Sequence, residues 1–144
     1  CRTRKVGSAE ELLRVELLEV TQKCLELAIQ AAQPGNRLGD IGSAVEQYAR
    51  SHGFGVVKEY VGHGIGSQMH QEPEVPNYGK AGHGQRLRPG MTLAIEPMIN
   101  LRGDDVVKDS RDGWTIRTAT GTPSAHFENT VAITENGPVI LTRP

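Results

Sequence analysis

Residues 54–70 read FGVVKEYVGHGIGSQMH, and the change of period at their start decides the fold. Before Gly53 the apolar residues recur at helical intervals; after it they follow an extended pattern. The stretch therefore joins a helical part of the chain to a sheet part. Its second half raises a separate question. Gly62, Gly64 and Gly66 would make a flexible linker in most contexts, yet "VVKEY" reads as a strand leading directly into them. His63 sits between two of these glycines, and glycine lets a backbone turn sharply or approach a ligand closely. That makes His63 a candidate functional histidine. His70 lies seven residues further on, so on a continuous strand the two would face opposite ways. The glycines argue against a continuous strand, but a single ion held by both histidines is not the expectation. His83 is a useful comparison. It also has glycine on both sides, but it lies in the polar loop "PNYGKAGHGQRLRPG" with no strand leading in, and no role is assigned to it.

Upstream, Ser8 and Glu11 have the spacing of a capping box. From Leu12 the apolar residues recur as Leu12, Val15 and Leu18, then Leu25, Ala28, Ile29 and Ala32, until Pro34 and Gly35 break the run. Asp40 is the expected cap of a second helix with the face Ile41, Ala44, Val45, Tyr48 and Ala49. Gly53 terminates it, and His52 is favoured at that end by the helix dipole. Downstream, turn signals separate short strands: "MTLAIEPMI" up to the disturbance at Pro97, "DVVKD", "WTIRT", the long "AHFENTVAIT", and "PVIL". A largely antiparallel sheet with two helices on one face is expected, an α+β layer in a single domain over residues 1–144.

Two carboxylates interrupt this sheet. Glu96 lies in "LAIEPM" and Glu128 in "HFENTVAI", each read as mid-strand. A carboxylate buried in a sheet costs several kcal/mol (about 3–5 when left unpaired) unless it is paired or bound to a metal. With His63 they make a donor set of mixed oxygen and nitrogen that suits a divalent cation. The alternation of strand faces leaves the other reading open. Glu96 shares its face with Ala94 and Met98, and Glu128 shares its face with His126, Thr130 and Ala132. Either glutamate can instead be a surface or ion-paired residue.

The bulk properties exclude several classes. The 144 residues are 37% apolar and 23% charged with a net charge of −1, a globular composition without the basic excess that nucleic acid or an anionic membrane wants. No apolar run is long enough for a bilayer. The basic "CRTRK" is followed by polar and acidic residues, so no signal peptide is expected. Cys1 and Cys24 make no disulfide framework and read as unpaired thiols in a reducing, cytoplasmic setting. A chain starting on cysteine in mid-pattern is expected to be a fragment, a processed chain or one piece of a larger protein.

Taken together, "YVGHGIGSQMHQEPEVPNY", "LRPGMTLAIEPMI", "DGWTIRT" and "AHFENTVAITENGPVILT" occur in an order and at spacings that resemble type I methionine aminopeptidase. The helical "AAQPGNRLGDIGSAVEQYARSHGF" fits as well, and the resemblance covers essentially the whole chain. It implies the C-terminal half of a pita-bread fold and a metal-dependent exopeptidase that removes initiator methionine from nascent polypeptides. It implies that His63, Glu96 and Glu128 are metal ligands in a site that holds two divalent ions when complete. Co, Mn, Fe and Zn all suit such ligands. It further implies that His70 contacts the substrate amide and the developing oxyanion, that Glu96 relays a proton, and that Met69 and Trp114 help form the pocket for the methionine side chain.

The family site uses five protein ligands, and the remaining two are aspartates from the preceding half of the fold. None of Asp40, Asp104, Asp105, Asp109 and Asp112 takes that role here. Asn129 follows Glu128 where many members have histidine. The expectation is therefore a chain with three of five ligands, inactive or nearly so by itself, that needs an N-terminal half or pairs with a second copy. Alternative readings are a proline-directed aminopeptidase or prolidase relative, and a non-catalytic pita-bread binding module. Retention of His63, His70, Glu96 and Glu128 weighs against the last.

Overall fold

The protein is described by a computed structural model covering residues 8–142. Residues 1–7, with the Cys1 thiol, and residues 143–144 lie outside the described residues. Helix α1 spans Ala9–Ala31, and its start forms as the spacing predicts. Ser8 Oγ accepts from the Glu11 amide at 3.3 Å and the Glu11 carboxylate accepts from the Ser8 amide at 2.8 Å. The buried face differs from the expected one in its first half. Leu17, Val20, Cys24, Leu25, Ala28 and Ile29 are buried, whereas Leu12, Val15 and Leu18 are exposed. The core face of the helix runs through positions 17, 20, 24, 25, 28 and 29, and the apolar residues at 12, 15 and 18 lie outside it.

Helix α2 spans Leu38–Ser51 and buries Leu38, Ile41, Val45 and Ala49. Asp40 is not the residue that precedes it. Arg37 holds the N-cap position, and Asp40 caps from inside the first turn. Its two oxygens accept from the amides of Arg37 and Gly82, both at 2.7 Å, a placement favoured by the helix dipole. His52 is the C-cap and Gly53 follows with φ +75°, closing the helix as expected. The polar loop at 76–90 lies close against α2. A Cβ on Gly42 would stand 2.2 Å from the Tyr78 carbonyl oxygen.

Among the described residues the strands form three antiparallel sheets, not one. "VVKEY" supplies only the end of β1 (Gly55–Val56). The Gly-His-Gly segment itself is β2 (Gly62–Gly64), and it forms a hairpin with β3 (Gln71–Val75), a strand that Pro73 and its charged neighbours hid from the pattern. The remaining strands are β4 (Thr92–Ile95), β5 (Met98–Asn100), β6 (Val106–Lys108), β7 (Ile116–Thr118), β8 (Ser124–His126), β9 (Asn129–Thr134) and β10 (Gly137–Ile140). A five-stranded sheet runs β10-β9-β4-β2-β3, a three-stranded sheet β1-β5-β8, and β6-β7 is a separate hairpin.

The two larger sheets share a joint. Chain β4–β5 crosses from the five-stranded to the three-stranded sheet at Glu96–Pro97, and chain β8–β9 crosses back at Phe127–Glu128. The register sets these breaks opposite each other: Ile95 pairs with Asn129 on one side and Met98 with His126 on the other. Neither glutamate is therefore mid-strand, and the face-alternation argument does not apply to them. Leu93, Ile95, Ile99, Val131 and Ile133 are fully or almost fully buried around the joint, each contributing about 1.5–3 kcal/mol of apolar burial.

Two outcomes check this architecture. A Cβ on Gly62 would stand 2.3 Å from the Ala94 carbonyl oxygen on the neighbouring strand. Gly62→Ala is expected to destabilise the fold by about 1–3 kcal/mol in urea unfolding; an unchanged midpoint would contradict the strand spacing. Asp104 ties α2 to β1. It accepts from Arg50 through both oxygens, at 2.6 and 2.5 Å, and from the Val56 amide at 3.1 Å. The Arg50 hydrogen bond above all holds its carboxyl at about 2, below the ordinary 3.8. A depressed folded-state value means stability that is full above 3.8 and lost as pH falls through about 2. Asp104→Asn should thus cost about 1–2 kcal/mol at neutral pH, with the gap to wild type closing in acid. A gap independent of pH would refute the pairing.

Candidate metal centre

The glycines beside His63 answer to close packing, not to turning. None of Gly62, Gly64 and Gly66 has a positive φ. A Cβ on Gly64 would stand 2.3 Å from the Glu72 carbonyl oxygen, as one on Gly62 would from that of Ala94. β2 is squeezed between β3 and β4, and glycine on both sides of His63 lets both neighbours approach. The other Gly-His-Gly is built differently. Gly82 and Gly84 have φ of +75° and +84° and shape a loop, and His83 is exposed.

The squeeze places the His63 ring at the joint. His63 pairs with Ala94, two residues before Glu96. Its Nδ1 lies 2.9 Å from the Gly64 carbonyl oxygen, which can only accept, so Nδ1 carries the proton. In the neutral ring Nε2 is then a lone pair, and it faces Glu96 Oε1 at 3.5 Å. Two acceptors face each other with only 15% and 14% of their side chains exposed. A proton or a metal cation between them resolves the opposition. A backbone carbonyl that fixes the tautomer of a histidine is the usual outer support of a metal-ligating imidazole. The residues present thus fit a divalent cation.

The second oxygen of Glu96 has its own imidazole. His126 Nε2 lies 3.3 Å from Glu96 Oε2. The hydrogen bond to Glu96 raises the His126 pKa above its ordinary value, against an opposing effect of burial. Ligand atoms of Glu96, His126 and Glu128 all lie within 4.8 Å of one another, and His63 is not in that trio. Sequence reasoning named His126 only as a neighbour of Glu128 on its face; its offset of two from Glu128 was the available signal. Asn77 was also missed. It is fully buried and donates to the Glu96 carbonyl oxygen at 3.0 Å, holding the joint's backbone. Nothing in the loop motif "PNYG" signals this without the fold.

The other expected site residues lie around this centre. The His63 and His70 rings are 4.0 Å apart between centroids. The bulge between His63 and Gly64 and the bend at 66–70 bring them together, against the opposed facing of a continuous strand. Trp114 is 86% and Met69 73% exposed. Trp114 lines an open hollow with Tyr60, Ile116 and His126, and Met69 is not among the residues that line it. Away from the site, Cys24 is buried and free, its thiol pushed up to about 12 by burial.

Comparison with known proteins agrees with this geometry. Residues 1–135 match the model of metallopeptidase family M24. A methionine aminopeptidase of Clostridium acetobutylicum is 48% identical over 141 residues, 98% of this chain and 56% of that protein. Methionine aminopeptidase 1 of Bacillus subtilis is 51% identical over 89% of this chain and 51% of its own length. The chain thus spans about half the length of the curated relatives it matches. The crystal structure of methionine aminopeptidase from Rickettsia prowazekii superposes with a TM-score of 0.90 at 40% identity, over 92% of this chain and 53% of that one. The prolidase of Pyrococcus horikoshii gives 0.66 at 27% identity, over 96% of this chain and 33% of that one. A sheet joint that presents His63 and two glutamates, half of a pita-bread fold around it, and the match over residues 1–135 lead to one conclusion: the chain belongs to metallopeptidase family M24.

Proposed function

We propose that this chain carries the ligand positions His63, Glu96 and Glu128 of a methionine aminopeptidase, which removes initiator methionine from nascent polypeptides. One observation carries the reading: His63 Nε2 faces Glu96 Oε1 at 3.5 Å, while its Nδ1 is engaged by the Gly64 carbonyl. A divalent cation held there supplies Lewis-acid polarisation of a peptide carbonyl and lowers the pKa of water. Mn, Fe, Co and Zn are all compatible with these ligands.

The chain's own residues have distinct tasks in this reading. Glu96 accepts a proton from the attacking water and delivers it to the departing amine. His70, held against the His63 ring, donates a hydrogen bond to the substrate amide and to the developing oxyanion. Met69 and Trp114 are free to cover a methionine side chain, whose flexible thioether is well held by apolar and aromatic contacts. The identity and superposition with methionine aminopeptidases, against the lower values for the prolidase, support methionine over proline specificity.

The family ligand set has two further aspartates, and none of the described aspartates joins Glu96 and Glu128 in a metal-sized group. The reading assigns them to a complementary N-terminal half, carried by the same or another polypeptide, with a second copy of this chain as the other source. The uncovered Leu12, Leu13, Val15 and Leu18 on α1 support such a partner. Among the described residues no helix is long and apolar enough to cross a membrane, and the reading places the enzyme in the cytoplasm, where nascent chains are made.

The assay is hydrolysis of a Met-Gly peptide with Co²⁺ or Mn²⁺. The expected result is no turnover by the 144-residue chain alone, and turnover after co-refolding with the N-terminal half of the Bacillus subtilis relative. Glu96→Gln should then lower kcat by about 10²–10⁴-fold. Full turnover by the lone chain, or cleavage of X-Pro dipeptides in preference to Met-Gly, would contradict the reading. A second check addresses the tautomer. Nitrogen NMR of the neutral His63 ring should find Nδ1 protonated and Nε2 bare; the reverse tautomer would contradict the reading.

A further inference from the structure

The acids of the β6–β7 hairpin are engaged within the hairpin itself. Asp109 accepts from Arg111 at 2.6 Å and from Arg117 at 3.4 Å. Asp112 accepts from the amides of Trp114 and Thr115 and from the Thr115 hydroxyl. Lys108 takes no part in either arrangement. Among the described residues its ammonium has no salt bridge and no hydrogen bond.

Register turns this lysine toward the metal centre. Val106 pairs with Thr118 and Lys108 with Ile116, and residues opposite each other or two apart on antiparallel strands share one face. Val106, Ile116 and Thr118 line a hollow of about 350 Å³ with Tyr60, Met98 and His126. Lys108 and Ile116 line the next, of about 690 Å³, with Tyr60, Trp114 and His126. Tyr60, Ile116 and His126 belong to both, so the two are continuous. His126 Nε2 lies 3.3 Å from Glu96 Oε2, which places the hollow beside the cation site.

We propose that Lys108 is a specificity-determining residue: its ammonium pairs with a carboxylate of the bound peptide, so that the hollow selects methionine-initiated chains with Asp or Glu as their third residue. The proposal rests on the aminopeptidase reading given above and adds a charge preference which that reading does not contain. The position on the peptide follows from strand geometry. In that reading the methionine side chain lies against Trp114. Alternate side chains of an extended peptide point to the same side, so the third residue faces the hollow that takes the methionine, and Lys108 stands in its wall. The lysine ammonium is a compact charge on a flexible stem, able to meet a carboxylate at either Asp or Glu length.

Trp114 is the sole tryptophan of the sequence and lines the hollow with Lys108. Its fluorescence therefore reports occupancy in the 144-residue chain without turnover. The probes are Met-Gly-Glu-amide and Met-Gly-Gln-amide, which differ by one charge at nearly constant shape. The expected result is an emission change with both peptides and a Kd about two- to fivefold lower for the Glu peptide at low salt, with the difference shrinking as salt is added. Lys108→Gln should remove the difference and Lys108→Glu should reverse it. Lys108 is exposed, so neither variant is expected to disturb folding. Lys80→Gln, at an exposed lysine outside the hollow, should keep the difference. Equal affinities in the wild type, a difference that survives Lys108→Gln, or no emission change with either peptide would overturn the proposal. The equilibrium measurement needs no cleavage. A failed Met-Gly assay contradicts the aminopeptidase reading, whereas equal affinities alongside Met-Gly turnover contradict only the charge preference.

Discussion

Two adjacent strand pairs leave one sheet for another at the same level, and this joint governs the rest of the structure. Antiparallel pairing of β4 with β9 and of β5 with β8 forces the breaks at Glu96–Pro97 and Phe127–Glu128 to lie opposite each other. Proline in the first break lacks an amide proton, so a continuous ladder there would lose a hydrogen bond in any case. The gap exposes backbone groups that need partners. The Asn77 amide takes the Glu96 carbonyl, and the Phe127 amide takes that of Pro97. Fully buried side chains of β4, β5 and β9 hold both flanks. The glutamates are consequently presented from rigid elements, the arrangement that holds a ligand set in place.

The electrostatics follow from that geometry. A carboxylate that is largely shielded from water needs compensating positive charge or donors. Glu96 meets imidazole nitrogens at both oxygens, and in the neutral ring the one on His63 presents a lone pair. The raised pKa of His126 shows the same demand expressed through a proton. A divalent cation satisfies it more completely, because it neutralises the carboxylate and uses the nitrogen lone pair together.

Much of this was legible in the residues. The capping box at Ser8 and Glu11, the Gly53 terminator and the antiparallel hairpins follow from local chemistry, which also singles out His63, Glu96 and Glu128 as candidates. What failed was non-local. Which apolar residues of α1 face the core depends on where α2 lies. Glu96 and Glu128 looked mid-strand because a strand that changes sheets keeps its extended, apolar character through the break. Only the pairing partners reveal the crossing, and only the crossing brings His126 to Glu96. Glycines on both sides of a histidine suggest a turn or a ligand approach. Those beside His63 instead admit the Ala94 and Glu72 carbonyls of adjacent strands, a requirement that no single-chain pattern encodes.

The central claim is that the Glu96 carboxylate is held at the joint to bind a cation with His63. Anomalous diffraction from crystals of the chain grown with Co²⁺ tests it most directly, using data collected on both sides of the cobalt edge. The account predicts an anomalous peak at coordinating distance from both His63 Nε2 and Glu96 Oε1, with the His63 Nδ1 hydrogen bond to Gly64 retained. Ordered His63 and Glu96 side chains with no peak between them, at a Co²⁺ concentration that loads other sites, would contradict it.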